Sequence, residues 1–234
     1  MKKDNYNSLI KAAIKSFWET KQKQLTASGD SSNRGAVTGG KQLDAFADLL
    51  KTIAIEQGIP GECIYTKQAY LPGYFRSSKD WDVLIIAPNK KLIAAVELKS
   101  QIGSYGNNFN NRTEEAIGSA VDLWTAFREN QFPGQTAPWI GYLTFVGKDE
   151  GSTSPVRNNE PHYPVLPEFK TASYLDRYRI LCQKLILERH YSMAALISTS
   201  GRDNYEDVSE DTSIEKFIRS FIGHLTGNLN EFQQ

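Results

Sequence analysis

Two apolar runs, Val83–Ala87 and Leu92–Val96, are separated only by Pro88-Asn89-Lys90-Lys91. Pro and Asn favour a tight turn, and the aliphatic, partly β-branched arms favour extended chain, so the spacing predicts a β-hairpin. Neither run alternates with polar residues, which is the pattern of strands covered on both faces. A chain of 234 residues must therefore build its core around this hairpin. Polar residues stand at its open end, where Asp82 heads the first arm and Glu97-Leu98-Lys99 closes the second. Strand side chains alternate, so Glu97 and Lys99 share a face while Leu98 enters the core. Pairing across so short a turn brings Asp82 near Glu97 and Lys99.

Two carboxylates beside an ammonium suit a hard cation, with waters and a phosphate completing its shell; magnesium is the natural choice and phosphodiester hydrolysis the natural chemistry. In this reading Asp82, Glu97 and the Leu98 carbonyl hold the metal. Lys99 orients or deprotonates the attacking water, or stabilises charge on the phosphate. An acid-x-Lys triplet alone carries little weight, since Glu19-Thr20-Lys21 and Glu168-Phe169-Lys170 match it too. Only Glu97-Leu98-Lys99 ends a buried-type strand with an acid heading its partner. The plainer alternative is a solvated cross-strand ion pair.

Composition narrows the class. No stretch has the composition of an interdomain linker, so residues 1–234 are expected to form a single domain, with 1–25 as an N-terminal helix and 200–234 as a C-terminal helical extension on or beside the core. Net charge is zero, which disfavours indiscriminate polyanion binding. Charge is uneven, however: residues 1–24 hold six lysines against two acids, and residues 202–216 six acids against two basic residues. Cys63 and Cys182 lie in apolar contexts and are expected to be buried thiols, consistent with a cytoplasmic protein. No apolar run reaches the length of a membrane span.

Apolar periodicity predicts amphipathic helices at 6–24 and 41–57, separated by a loop over 26–40. Strands follow at 62–70, 82–87 and 92–99, then an Asn- and Gly-rich loop over 100–112. A capping box at Asn111 and Glu114 opens a helix to about Glu129, with Ile117, Val121, Trp124 and Phe127 inward. A strand at 139–146, a loop over 147–168 with four prolines, a helix at 172–190, a strand at 193–199 and a helix at 213–225 complete the chain. The last helix is expected to start from a Thr212/Glu215 capping box. This order predicts an α/β (α+β) fold: a mixed sheet flanked by helices on both faces, with one right-handed crossover.

With Asp82 on one strand and Glu97-x-Lys99 on the next, the order resembles the PD-(D/E)XK nuclease superfamily and its restriction-endonuclease-like core. Residues 34–128 resemble the XhoI family of type II restriction endonucleases more closely. The resemblance rests on Arg34-Gly-Ala-Val-Thr-Gly-Gly-Lys41, Asp80-Trp-Asp82, Glu97-Leu-Lys-Ser-Gln101 and Gly106-Asn-Asn-Phe-Asn-Asn-Arg-Thr-Glu-Glu115. Trp81 stands where the superfamily motif carries proline. The resemblance implies a magnesium-dependent homodimer that cuts both strands of a palindromic duplex, CTCGAG, and leaves 5′-phosphates. It also implies a cognate DNA methyltransferase in the same system, without a stable complex. Dimer symmetry and palindromy go together physically.

Leaving the catalytic strand directly, segment 100–112 is expected to lie near the scissile phosphate. Gln101, Asn107, Asn108, Asn110, Asn111 and Arg112 are its candidate base readers, because Asn and Gln pair with adenine and Arg with guanine. The competing reading is an asparagine-rich turn bonding its own backbone. Arg34, Lys41, Arg76 and Lys79 suit phosphate contacts. Asp44 could hold a second metal or a metal-bound water, or be only a solvated helix carboxylate. Two rival functions remain at this point: a structure-specific repair or junction-resolving nuclease, and a catalytically inactive DNA-binding protein.

Overall fold

A computed structural model describes the backbone of residues 3–27 and 35–233 and the side chains of 6–23 and 42–233. Arg34 and the Lys41 side chain lie outside the described residues. Helices α1 (Lys3–Ala27) and α2 (Gly35–Glu56) open the chain and pack on each other. The stripe Ile10, Ala13, Ile14 and Phe17 meets Phe46, Leu50 and Ile53, as the periodicity predicts. The second helix begins earlier than expected, for Gly35–Gly40 is helical rather than loop.

The expected strand at 62–70 is instead two short strands in different sheets, β1 (Ile64–Tyr65) and β2 (Tyr70–Leu71). Strand β2 pairs antiparallel with β3 (Lys79–Asp80), forming a small hairpin that leads straight into the central one. The central hairpin joins β4 (Val83–Ile86) to β5 (Leu92–Gln101), with Val83 opposite Val96. Ala87 and Lys91 close the turn, where Lys90 takes a left-handed φ of 70°. The register shifts at Ile85/Ile86, which strengthens the local twist.

From β5 the chain crosses through α3 (Tyr105–Arg128) to β6 (Trp139–Gly147), parallel to β5. A one-turn helix, α4 (Glu150–Thr153), interrupts the proline-containing loop. Helix α5 (Tyr174–Leu187) then crosses to β7 (Met193–Thr199), parallel to β6. Strand β8 (Glu206–Asp207) and α6 (Ile214–Gly227) finish the fold, and the acid-rich stretch over 202–216 thus contributes an edge strand. Six strands form a mixed sheet in the order β1-β4-β5-β6-β7-β8.

Helices cover both faces of the sheet. On one, α1, α2 and α6 pack on Val83, Ile85, Val96, Leu98, Leu143 and Phe145. On the other, α3 and α5 pack on Leu84, Ala95, Tyr142 and Leu196. Apart from Ile93 and Ala94, adjacent residues of β4 and β5 fall in opposite clusters, and this explains why their runs are continuously apolar. Cys63 and Cys182 are buried free thiols. Among the described residues no helix is long and apolar enough to cross a membrane.

Three local expectations need correction. Segment 105–112 is the first two turns of α3, not a loop, and the cap is Ser104 rather than Asn111. The inward face of α3 is Phe109, Ala116, Ala120 and Leu123, with Trp124 partly buried against the same cluster as expected, instead of Ile117, Val121 and Phe127. Its small residues let the helix sit close to the sheet, while the larger side chains flank the contact. At α6 the cap is Ser213, whose hydroxyl accepts the Lys216 N–H at 3.3 Å, while Thr212 is buried beside Ser209.

Candidate active site

The hairpin register delivers the predicted juxtaposition. Asp82 follows β3 and donates its N–H to the Val96 carbonyl, placing it beside Glu97. Its carboxylate accepts the Leu98 N–H at 2.7 Å. A residue's N–H and C=O leave a strand on the same side, so the Leu98 carbonyl also points past the end of β4 toward Asp82. Glu97 is buried on the α3 face and ion-pairs with Lys99 through one oxygen and with Lys79 at 2.5 Å through the other. Lys99 also lies 3.8 Å from Glu115, which holds Arg112 at 2.7 Å. Strand β5 is thereby tied to α3.

The two carboxylates respond oppositely to these surroundings. Burial opposes the Glu97 charge, yet the Lys99 and Lys79 ammoniums hold its pKa below the usual carboxylate range. Asp82 has weaker compensation. Burial and the adjacent Glu97 charge push its pKa up to about 6, despite the Leu98 N–H and both lysines. Lys99 is raised above an ordinary lysine, because Glu97, with Asp82 and Glu115, outweighs the cost of burying the ammonium. It therefore stays charged at neutral pH.

Such a donor set fits magnesium. The unrelieved repulsion between Asp82 and Glu97 is what a divalent cation would relieve. Magnesium relies on one or two carboxylates with waters and substrate phosphate, and among the described residues no group of three or more His, Cys, Asp or Glu side chains could hold a metal.

A cleft of about 150 Å³ opens against Asp82 and Leu98. Asp44 and Leu43 from α2 line it with Lys67, Asp80 and Trp81. Asp44 is exposed there, on the cleft but on the α2 side of the sheet, opposite the Glu97–Lys99 pair. The sequence reading did not select Asp80 or Lys67, although Asp80 stands in the quoted Asp80-Trp-Asp82 motif. Lys79 was expected to contact phosphate; here it is a second counter-ion of Glu97, with its ammonium 4.8 Å above the Trp81 ring.

The remaining candidates separate by burial. Asn107, Asn110 and Asn111 share the exposed face of α3. Gln101 is buried and donates to the Gly103 carbonyl at 2.6 Å, and Asn108 donates to the Ser104 carbonyl at 2.8 Å; both make the local backbone bonds of the competing reading. Arg76 donates through Nε to Asp122 at 2.7 Å. Asp122 was missed. Its signal was an acid on the apolar stripe of a helix.

A mixed sheet with acids and a lysine at the end of its central hairpin is the architecture of a restriction-endonuclease-like nuclease. The family model "Restriction endonuclease XhoI" matches residues 21–210. The type II restriction enzyme BstVI of Geobacillus stearothermophilus is 47% identical over 210 residues, 85% of this chain and 94% of its own. XhoI of Xanthomonas vasicola is 45% identical over 190 residues (78% and 76%), and AbrI of Azospirillum brasilense 39% over 166 (68% and 74%). No solved structure matches. The chain belongs to the XhoI family of restriction endonucleases, a family of type II site-specific deoxyribonucleases.

Proposed function

We propose that this enzyme is a cytoplasmic homodimer that hydrolyses both strands of double-stranded DNA at CTCGAG with magnesium, leaving 5′-phosphates and 3′-hydroxyls. The meeting of Asp82, Glu97 and Lys99 at the end of the β4–β5 hairpin carries this reading. Its partner system includes a methyltransferase acting on the same site without a stable complex. Asp82, Glu97 and the Leu98 carbonyl would hold the magnesium ion, which would supply an acidified water and a polarised phosphate. In-line attack of the water oxygen on phosphorus breaks the bond to the 3′ oxygen, which leaves with a proton as the 3′-hydroxyl. Lys99 stays protonated, so it orients the water and stabilises charge on the phosphate rather than acting as the base. Lys79 keeps Glu97 ionised. Asp44, across the cleft, would hold a second ion or a metal-bound water.

Recognition falls to the exposed Asn107, Asn110 and Asn111 face of α3, which leaves the end of the catalytic strand and is narrow enough for a major groove. Gln101, Asn108 and Arg112 brace that helix. Arg34 and Lys41 take phosphate contacts, whereas Arg76 is committed to Asp122.

Plasmid digestion by purified protein tests the proposal. Discrete fragments should appear only with magnesium, and their sequenced ends should fall within CTCGAG with 5′-phosphates. Asp82→Ala, Glu97→Ala and Lys99→Ala should each slow cleavage by about 100-fold or more while circular dichroism is unchanged. A smear, no cutting, or any of the three cutting at the parental rate overturns it.

A further inference from the structure

The β2–β3 hairpin projects from the chain immediately ahead of Asp82, and its tip carries an apolar surface that the proposed mechanism does not use. Phe75 is 70% exposed and Tyr74 52%, with their rings edge to face 4.9 Å apart. Exposed rings at a loop tip are common, but this tip is held in place from below. Asp122, 4% exposed on α3, accepts the Tyr74 N–H at 2.8 Å, the Phe75 N–H at 2.7 Å and Arg76 Nε at 2.7 Å. Burial would raise this carboxyl, yet these three donors keep it below its usual range. Gly73 leaves room for the clasp, since a Cβ there would lie 2.3 Å from Asp122 Oδ2. A buried carboxylate committed to two backbone N–H groups fixes the direction in which both rings project.

We propose that the Tyr74–Phe75 tip is a base-contacting wedge that seats in a groove of the bound duplex beside the scissile phosphate; this rests on the nuclease reading above. Reach supports it. Lys79, whose ammonium touches Glu97, stands four positions beyond Phe75, so the backbone of the tip lies at most about 14 Å from that of Lys79. At about 3.4 Å per nucleotide, that is roughly four base pairs of the bound strand. Chemistry points the same way. Asp122 balances the Arg76 charge, so the tip offers ring faces and edges suited to bases rather than to phosphates. Two rings also fall far short of the ~800 Å² per partner of a stable subunit contact.

The test uses the full-length enzyme and a short duplex carrying the cleavage site mapped on plasmid DNA. Phe75→Ala should raise KM about 10-fold or more with a smaller change in kcat, and Phe75→Tyr should restore most of it. Thermal midpoint and sedimentation should match the parent. 2-Aminopurine beside the cut should brighten when saturated with parent protein in EDTA, and should not with Phe75→Ala. A KM within twofold of the parent, undiminished brightening, or loss of the dimer on sedimentation overturns the wedge. Parent enzyme that fails to cut plasmid overturns the nuclease reading and the wedge together; a cutting enzyme indifferent to Phe75→Ala overturns the wedge alone.

Discussion

At the scale of residues, the site is a contest between burial and compensating charge. Glu97 has two ammoniums and stays ionised, whereas Asp82, its neighbour, is pushed up to about 6. A carboxyl raised on folding costs stability where the unfolded state is already ionised. The penalty is absent below about pH 4, grows as pH rises to about 6, and is complete above that, on the order of 3 kcal/mol. In EDTA, Asp82→Asn should therefore match the parent near pH 4 and be more stable at pH 7.5. Added magnesium should raise the thermal midpoint of the parent at pH 7.5 and leave the variant unmoved. A stability difference between the two proteins that does not change from pH 4 to 7.5 would refute the account.

Among the elements, the hairpin and α3 contrast in legibility. Strands β4 and β5 were readable because a four-residue turn fixes register locally, and register alone brings Asp82 to Glu97. The start of α3 was not. Asn and Gly signal turns in isolation, and here four asparagines lie within the first two helical turns, where Phe109 packing on Tyr178 and Tyr105 bonding to Asp149 outweigh that preference. The asparagines therefore fall on one face of a helix instead of being scattered over a loop. Ala has the higher helix propensity, so Asn110→Ala should leave the thermal midpoint unchanged or slightly raised. Cleavage rate or discrimination against sites with one altered base pair should fall, and kinetics on matched and mismatched duplexes measure it. Unchanged rate and discrimination would remove Asn110 from recognition.

Over the whole molecule, a central sheet with an apolar cluster on each face carries a site at one end of its middle strands. The α6 face is densely aromatic: Phe217 is fully buried, its ring 5.1 Å from that of Trp139. Phe217→Ala should cost about 3–5 kcal/mol in urea unfolding, because little nearby can collapse into the space; a cost below about 1 kcal/mol would show that α6 does not hold the core. The sequence by itself determined what depends on short separations: the hairpin, the amphipathic stripes of α1 and α2, the buried thiols, and the convergence of Asp82, Glu97 and Lys99. Tertiary structure alone decided what long separations bring together. Lys79 folds back onto Glu97 through a second hairpin, Glu115 reaches Lys99 from the next helix, and Asp122 grips the Tyr74–Phe75 tip from 47 residues away in the chain. Periodicity reports which face of an element is apolar, but the partner of each charge depends on how those elements cross, and no local pattern encodes that.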